Sequence, residues 1–184
     1  MKTLSTIVIL MLLCSFSFGQ TPVDKGSILA GGSISITADS EGDADMSTRI
    51  SFAPVGYFFI MNNLGVGGTI QLSRYAQGDD YSTFTFLIGP GARFYFKAGK
   101  LFPFVAANLS YGITSYDYGY TDGSTGCFQI TAGGGMDFFV SQNVAVEPTA
   151  NLTFESFSPD RGDSVNSVRF TIGVGISGFI TSLQ

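Results

Sequence analysis

The side chains here with the means to do chemistry are few, and most are carboxylates and guanidiniums at even spacing. Asp137 and Glu147 flank a short turn centred on Gln142, and Arg93 lies in a separate alternating segment. Glu155 and Arg169 flank the next turn, and Arg49 stands earlier in the chain. Two opposed carboxylates are the raw material of an acid–base pair, yet so close together they need a cation between them. The chain has no histidine, which removes Ser–His catalysis and the common imidazole metal ligands. The glycine-rich run Thr131–Gly135 lacks the strand–GxxxxGK–helix setting of a phosphate loop. The expected catalytic, metal and cofactor sets are therefore empty. Arg49, Arg93, Asp137, Glu147, Glu155 and Arg169 are read as a structural charge network.

Further chemistry sits between the regular segments. Asp39, Glu41, Asp43 and Asp45 alternate in DSEGDADM, a composition that resembles a calcium loop. Oxygen ligands at alternate positions suit a divalent cation, but the terminal bidentate glutamate of an EF-hand is missing. A solvated acidic loop is the competing reading. Arg161, Gly162 and Asp163 spell a tripeptide that resembles the integrin-binding sequence of adhesive proteins, in a turn-forming context where such strings also arise by chance. Tyr116, Tyr118 and Tyr120 make another connection aromatic, which suits either recognition or an interfacial girdle.

The segments that carry these residues alternate with a period of two. In Ser82–Lys97 one face holds Phe84, Phe86, Ile88, Pro90, Ala92, Phe94 and Phe96, and the other holds Thr83, Thr85, Leu87, Gly89, Gly91, Arg93 and Tyr95. Side chains alternate across a strand, so this is one strand with an apolar face and a small-polar face. Similar segments recur at about 20-residue spacing between turn clusters. They are Ser27–Ala38, Ser47–Phe59, Leu64–Tyr75, Ser82–Lys97, Leu101–Thr114, Cys127–Val140, Val144–Phe157 and Val165–Ile180. Short connections alternate with longer ones, the longest expected at Ser115–Gly126. Eight strands so joined predict an all-β, antiparallel up-and-down barrel.

Composition decides which face looks out. Charged residues make only 12% of the chain, about half the usual share in a soluble domain, so something other than water covers much of the surface. The polar face carries Gly, Ser, Thr, Ala and Asn rather than Lys and Glu, and such small groups suit the narrow interior of an eight-stranded barrel. An inside-out soluble barrel of the lipocalin type would show the opposite faces. The expected fold is thus a transmembrane β-barrel, closed because hydrocarbon leaves no partner for an open edge. All six network charges take the inward phase. Asp137 is expected opposite Glu147 with Arg93 reaching across, and Glu155 opposite Arg169 with Arg49 at similar height. Pro54, Pro90 and Pro148 lie within strands, so each should sit at a β-bulge or leave a carbonyl to find another donor.

The N-terminus reads as a processing segment. Lys2, the apolar run Ile7–Leu13, and the small residues Ser17 and Gly19 outline a signal peptide over residues 1–19. Cys14 offers a lipidation alternative, against which the bulky Leu12 and Leu13 stand. Residues 20–26 form a short lead and 27–184 the barrel. Cleavage leaves Cys127 as the single cysteine, so no internal disulfide forms. It also leaves eight basic residues against fourteen acidic, which excludes a nucleic-acid surface. Ten of the acids (Asp39, Glu41, Asp43, Asp45, Asp79, Asp80, Asp117, Asp122, Asp160 and Asp163) fall in the longer connections, while Lys25, Lys97 and Lys100 fall at the other end. In bilayer barrels the longer loops lie outside the cell.

With the leader, the eight alternating strands, the tight lower turns and the inward charges in place, the mature chain resembles the OmpA/OmpX-like outer-membrane β-barrel family, small porin-family-like barrels. The resemblance implies a bacterial outer-membrane location, outer-membrane lipid as the surrounding partner and a monomer. It also implies a role in envelope structure or surface interaction through the loops, without enzymatic activity. A narrow ion or solute channel is the alternative. The chain departs from full-length OmpA in ending at strand eight, with no periplasmic domain, and it closes on Phe179-Ile180-Thr181-Ser182-Leu183-Gln184 rather than on an aromatic residue.

Overall fold

The computed structural model describes residues 23–39, 47–78, 81–96, 101–117, 122–158 and 164–181. The eight strands are β1 (Ile28–Asp39), β2 (Ser47–Met61), β3 (Leu64–Gln77), β4 (Tyr81–Tyr95), β5 (Phe102–Asp117), β6 (Asp122–Phe139), β7 (Val144–Ser158) and β8 (Val165–Ile180). Each pairs antiparallel with the next, and β1 pairs with β8 to close the barrel. The expected leader lies outside the described residues, as do Lys97, Lys100, Tyr118 and Tyr120. So do the acids Glu41, Asp43, Asp45, Asp79, Asp80 and Asp160, and the tripeptide Arg161, Gly162 and Asp163.

The faces sort as the alternation requires. On β4, Phe84 is 50% exposed and Ile88 53%, whereas Arg93, nearer the lower end, is 7% exposed. Ile50, Phe52, Val105, Leu109, Ile130, Leu152, Phe170 and Ile172 extend the exposed apolar belt around the other strands. Serine, threonine and the network charges turn inward. This arrangement is the inverse of a lipocalin-type barrel, whose apolar side chains face a central cavity.

Three differences from the sequence reading have identifiable causes. The segment Ser115–Gly126, expected as the longest loop, is mostly strand: β5 and β6 stay in register out to Asp117 opposite Asp122. Tyrosine, serine and threonine favour extended backbone, and β4 supports the extension by pairing with β5 as far as Ser82↔Asp117.

The strand prolines produce no bulge. Around Pro54 the β2–β3 register runs from Phe52↔Leu72 to Val55↔Thr69 without a shift, and only the intervening pairs are lost. Pro90 interrupts β4–β5 in the same way and Pro148 interrupts β6–β7. Each proline keeps its other neighbour, as in Gly32↔Pro54, Gly68↔Pro90 and Pro148↔Val174. At Pro54 a hydroxyl takes the place of the missing donor: Thr69 Oγ1 lies 3.3 Å from the Pro54 carbonyl and 3.4 Å from that of Ile70. The second of the two expected accommodations therefore holds there. The register shift that β2–β3 does contain lies at the turn, between Phe59 and Met61.

The third difference is the lower end of the lumen, which is aromatic rather than small and polar. Leu29, Tyr57, Phe59, Tyr95, Phe104, Ala145 and Phe179 form one buried cluster, joined by Val23 from the lead, and Phe102 and Phe139 pack against it. These rings occupy the inward phase at the lower strand ends, directly beneath the buried Arg93, Asp137 and Glu147 side chains. Val23 is fully buried beneath the barrel. Its carbonyl accepts from the Asn63 amide at 2.8 Å, and the Gly26 amide donates to the Phe59 carbonyl at 2.8 Å. Gly26 has φ 89°, a left-handed value that lets the lead fold under the strands.

Candidate functional site

The inner charges form two layers, and the strand register places each. In the lower layer the tight turn at 141–143 fixes the β6–β7 pairing, with Gly135↔Thr149 and Phe138↔Val146 on either side. That register sets Asp137 opposite Glu147. Arg93, from β4 across the lumen, forms an ion pair with Glu147 through Nη1 and Oε1. Ser177 Oγ donates to the other oxygen of Glu147. Arg93 Nη1 also donates to the Tyr95 hydroxyl at 3.2 Å, and that hydroxyl donates to Asp137 Oδ2 at 2.8 Å. Tyrosine thus links the guanidinium to the second carboxylate, which the arginine does not reach directly.

The guanidinium is seated on rings. Arg93 Cζ lies 4.1 Å from the Phe104 ring centroid and 5.1 Å from that of Tyr57. A cation over an aromatic face in a desolvated site gains about 2 kcal/mol, which helps offset removing the charge from water. Phe104 can lie there because its cross-strand partner is Gly135. A Cβ at that position would come within 2.8 Å of the ring and 2.5 Å of the Pro148 carbonyl. Part of the layer stays unsatisfied: Arg93 Nε and Asp137 Oδ1 are buried without a hydrogen-bond partner.

The upper layer forms, but by a different register. Glu155 stands opposite Ser167, and Arg169 opposite Thr153, so the expected direct opposition of Glu155 and Arg169 is replaced by a diagonal. Long side chains span that diagonal. Arg169 Nη2 meets Glu155 Oε1 at 2.5 Å, Gln129 Nε2 donates to the same oxygen at 2.9 Å, and Ser167 Oγ donates to Oε2 at 3.3 Å. Arg49 lies over the ring of its cross-strand neighbour Tyr75, 5.2 Å from the centroid. Hydroxyls also pair across strands on the inner face, Thr85 with Thr114 at 2.9 Å and Thr131 with Thr153 at 3.2 Å. Tyr57 donates to Asn108 Oδ1 at 2.9 Å.

Among the described residues no group of three or more Cys, Asp or Glu side chains is placed to hold a metal ion. Asp39 ends β1, and its companions in the acidic loop lie beyond the described residues. Cys127 is buried on the inner face opposite Gly112 and is not disulfide-bonded. Sequence reasoning missed Tyr95, Tyr57, Phe104, Ser177 and Gln129 as partners of the charges. Tyr95 carried a usable signal, standing two residues from Arg93 on the same face. Arg74 was also missed, and it turns outward on β3, opposite Phe84.

No family model matches the chain, and no curated protein matches it by sequence. Solved structures do. Neisserial surface protein A superposes with a TM-score of 0.56 at 16% identity, covering 84% of this chain and 97% of that one. The N-terminal β-barrel domain of Pseudomonas aeruginosa OprF superposes with a TM-score of 0.52 at 13% identity, covering 85% and 98%. The fold is that of these small outer-membrane barrels: closed, eight-stranded and antiparallel throughout. The OmpA/OmpX-like resemblance read from the strand pattern holds at this level.

Proposed function

We propose that the protein is a non-enzymatic barrel of the bacterial outer membrane with a side-chain-filled lumen, serving envelope structure or surface interaction through its outer loops. The observation that carries the reading is the pairing of two opposites in one sheet. Phenylalanine, isoleucine and valine lie exposed on the outside, and the Arg93–Glu147 ion pair is buried inside. A belt of this kind in water would be a large unprotected apolar surface. In a bilayer it is the solvated face, and the β1–β8 ladder joins the sheet ends along the lower part of the wall.

Two features support a filled lumen over a conducting one. The Val23–Phe59–Tyr95–Phe179 cluster occupies the lower mouth, and the Arg93–Glu147 pair crosses just above it. The same features disfavour catalysis by Asp137 and Glu147, which are sealed from both solvent and substrate. A surface role is supported by a groove of about 450 Å³ at the upper ends of β4, β5 and β6, lined by Ser82, Phe84, Ser115, Asp117, Asp122 and Ser124. By their names, the similar structures are a surface protein and a barrel domain. Planar-bilayer recordings of the purified protein test the reading. The expected result is no steady conductance. Stable ohmic steps of a water-filled pore would replace the filled barrel with a narrow channel.

A further inference from the structure

The closing seam of the barrel is incomplete in its upper part. Among the described residues β1 pairs with β8 over six positions, from Ile28↔Ile180 to Ser33↔Gly175. Both strands continue upward beyond that point, β1 still paired with β2 to Asp39↔Ser47 and β8 with β7 to Phe157↔Val165. Two further observations mark the parting. A Cβ built on Gly175 would meet the Gly32 carbonyl of β1 at 2.9 Å, whereas one on Gly173, two residues higher on the same face, would meet only Thr149 Oγ1 of β7. On β1 exposure climbs from 43% at Ile28 to 71% at Ile36, and Ile172 of β8, at 74%, is the most exposed large apolar side chain described.

The two parted edges match each other. Continued upward, the register of the lower pairs sets Ile34 opposite Val174, Ser35 opposite Gly173 and Ile36 opposite Ile172. Apolar residues would meet on the outer face and small ones on the inner face. Neither edge carries a lysine, proline or bulge of the kind that protects an edge meant to stay unpaired, and the arginine of the β8 edge, Arg169, is engaged by Glu155 of β7. An unpaired edge facing hydrocarbon is costly, so the complementarity has a driving force.

Resting on the membrane reading above, we propose that the upper β1–β8 seam is a lateral gate. Open, it joins the polar upper lumen sideways to the surrounding lipid. Closed, it zips the backbone of β1 from Ile34 upward onto that of β8 from Val174 upward, in the existing register. With the lower mouth stoppered by Val23, the open slit leads from the upper lumen into the outer half of the membrane rather than across it.

Matched cysteine pairs test this in full-length protein carrying Cys127→Ser, reconstituted in phospholipid vesicles and oxidised with copper phenanthroline. Ile28→Cys with Ile180→Cys reports the zipped lower seam. Ile36→Cys with Ile172→Cys reports the upper one, on the same face and in the same hydrogen-bonding phase. Heat-modifiable gel migration of each variant shows separately whether the membrane barrel has formed, and Ile34→Cys with Val174→Cys replaces the upper pair if that variant does not fold. The expected result is an intramolecular bridge at both places, the upper one forming severalfold more slowly because that seam divides its time between the open and the closed state. Equal rates at both places would mean a permanently closed seam and overturn the gate. No upper bridge at all would mean a permanently open seam and overturn it equally. Upper bridges only between two chains would make the seam an interface between copies, and would also overturn the gate.

Discussion

Replacing Arg93 by alanine removes the cation that the lower carboxylates share, and the structure sets the size of the effect. The guanidinium is 7% exposed, paired with Glu147, linked through Tyr95 to Asp137, and seated on Phe104. Glu147 is as buried as its partner, so its charge cannot fall back on water. Breaking a buried pair from one side costs about 3–5 kcal/mol, because the surviving charge is left uncompensated. Removing all the charges together, as Arg93→Met with Glu147→Gln and Asp137→Asn, leaves no such orphan. That triple variant should come within about 1–2 kcal/mol of the parent, since a buried ion pair contributes little net stability over neutral groups of similar size. Reversible urea unfolding in phospholipid vesicles, followed by circular dichroism and by the heat-modifiable band, reads both. A loss below about 1 kcal/mol for Arg93→Ala would refute the ion-pair argument. So would a triple variant as unstable as the single one, because the penalty would then come from lost packing alone.

The other expectations concern single positions. Ile88 is the middle residue of β4 and faces outward, so Ile88→Arg should cost about 2–4 kcal/mol in vesicle unfolding, the midplane value for a lipid-facing cation. Gly135→Ala places a methyl against the Phe104 ring and the Pro148 carbonyl, and should cost about 1–3 kcal/mol as an overpacked site; thermal melting in detergent measures it. Val23→Asp puts an unpaired carboxylate into the stopper cluster and should cost at least about 1 kcal/mol, while making the lower mouth leaky to ions in planar-bilayer recordings.

How much of this was legible in the sequence depended on distance along the chain. The phase of each strand was local, and the apolar and polar faces of Ser82–Lys97 were readable from alternation alone. The Asp137–Glu147 opposition was legible because a tight turn at 141–143 admits one register. The β7–β8 hairpin closes through a longer connection around 159–164, which leaves the register open. That is why Glu155 faces Ser167 and reaches Arg169 only diagonally. Height in the lumen is a property of the closed sheet, so nothing local distinguished Phe59, Phe104 and Phe179, which turn inward at the bottom, from girdle phenylalanines that turn outward. The Val23 stopper was hidden for a similar reason: its partners come from strands scattered along the whole chain. The incomplete seam joins the first strand to the last, the longest-range pairing in the molecule, and no local pattern announces where such a ladder stops.

Which side of the sheet meets lipid decides the membrane reading, and the absence of tryptophan from the chain makes that directly measurable. Phe86→Trp introduces an indole at an outward position and Phe104→Trp at an inward one. In vesicles made with bromine-labelled acyl chains, which quench tryptophan on contact, emission from the Phe86→Trp protein should fall strongly, while that from the Phe104→Trp protein should stay close to its value in unlabelled lipid. The reverse pattern would put lipid, or an apolar core, on the side assigned to the lumen, and the membrane reading would be wrong.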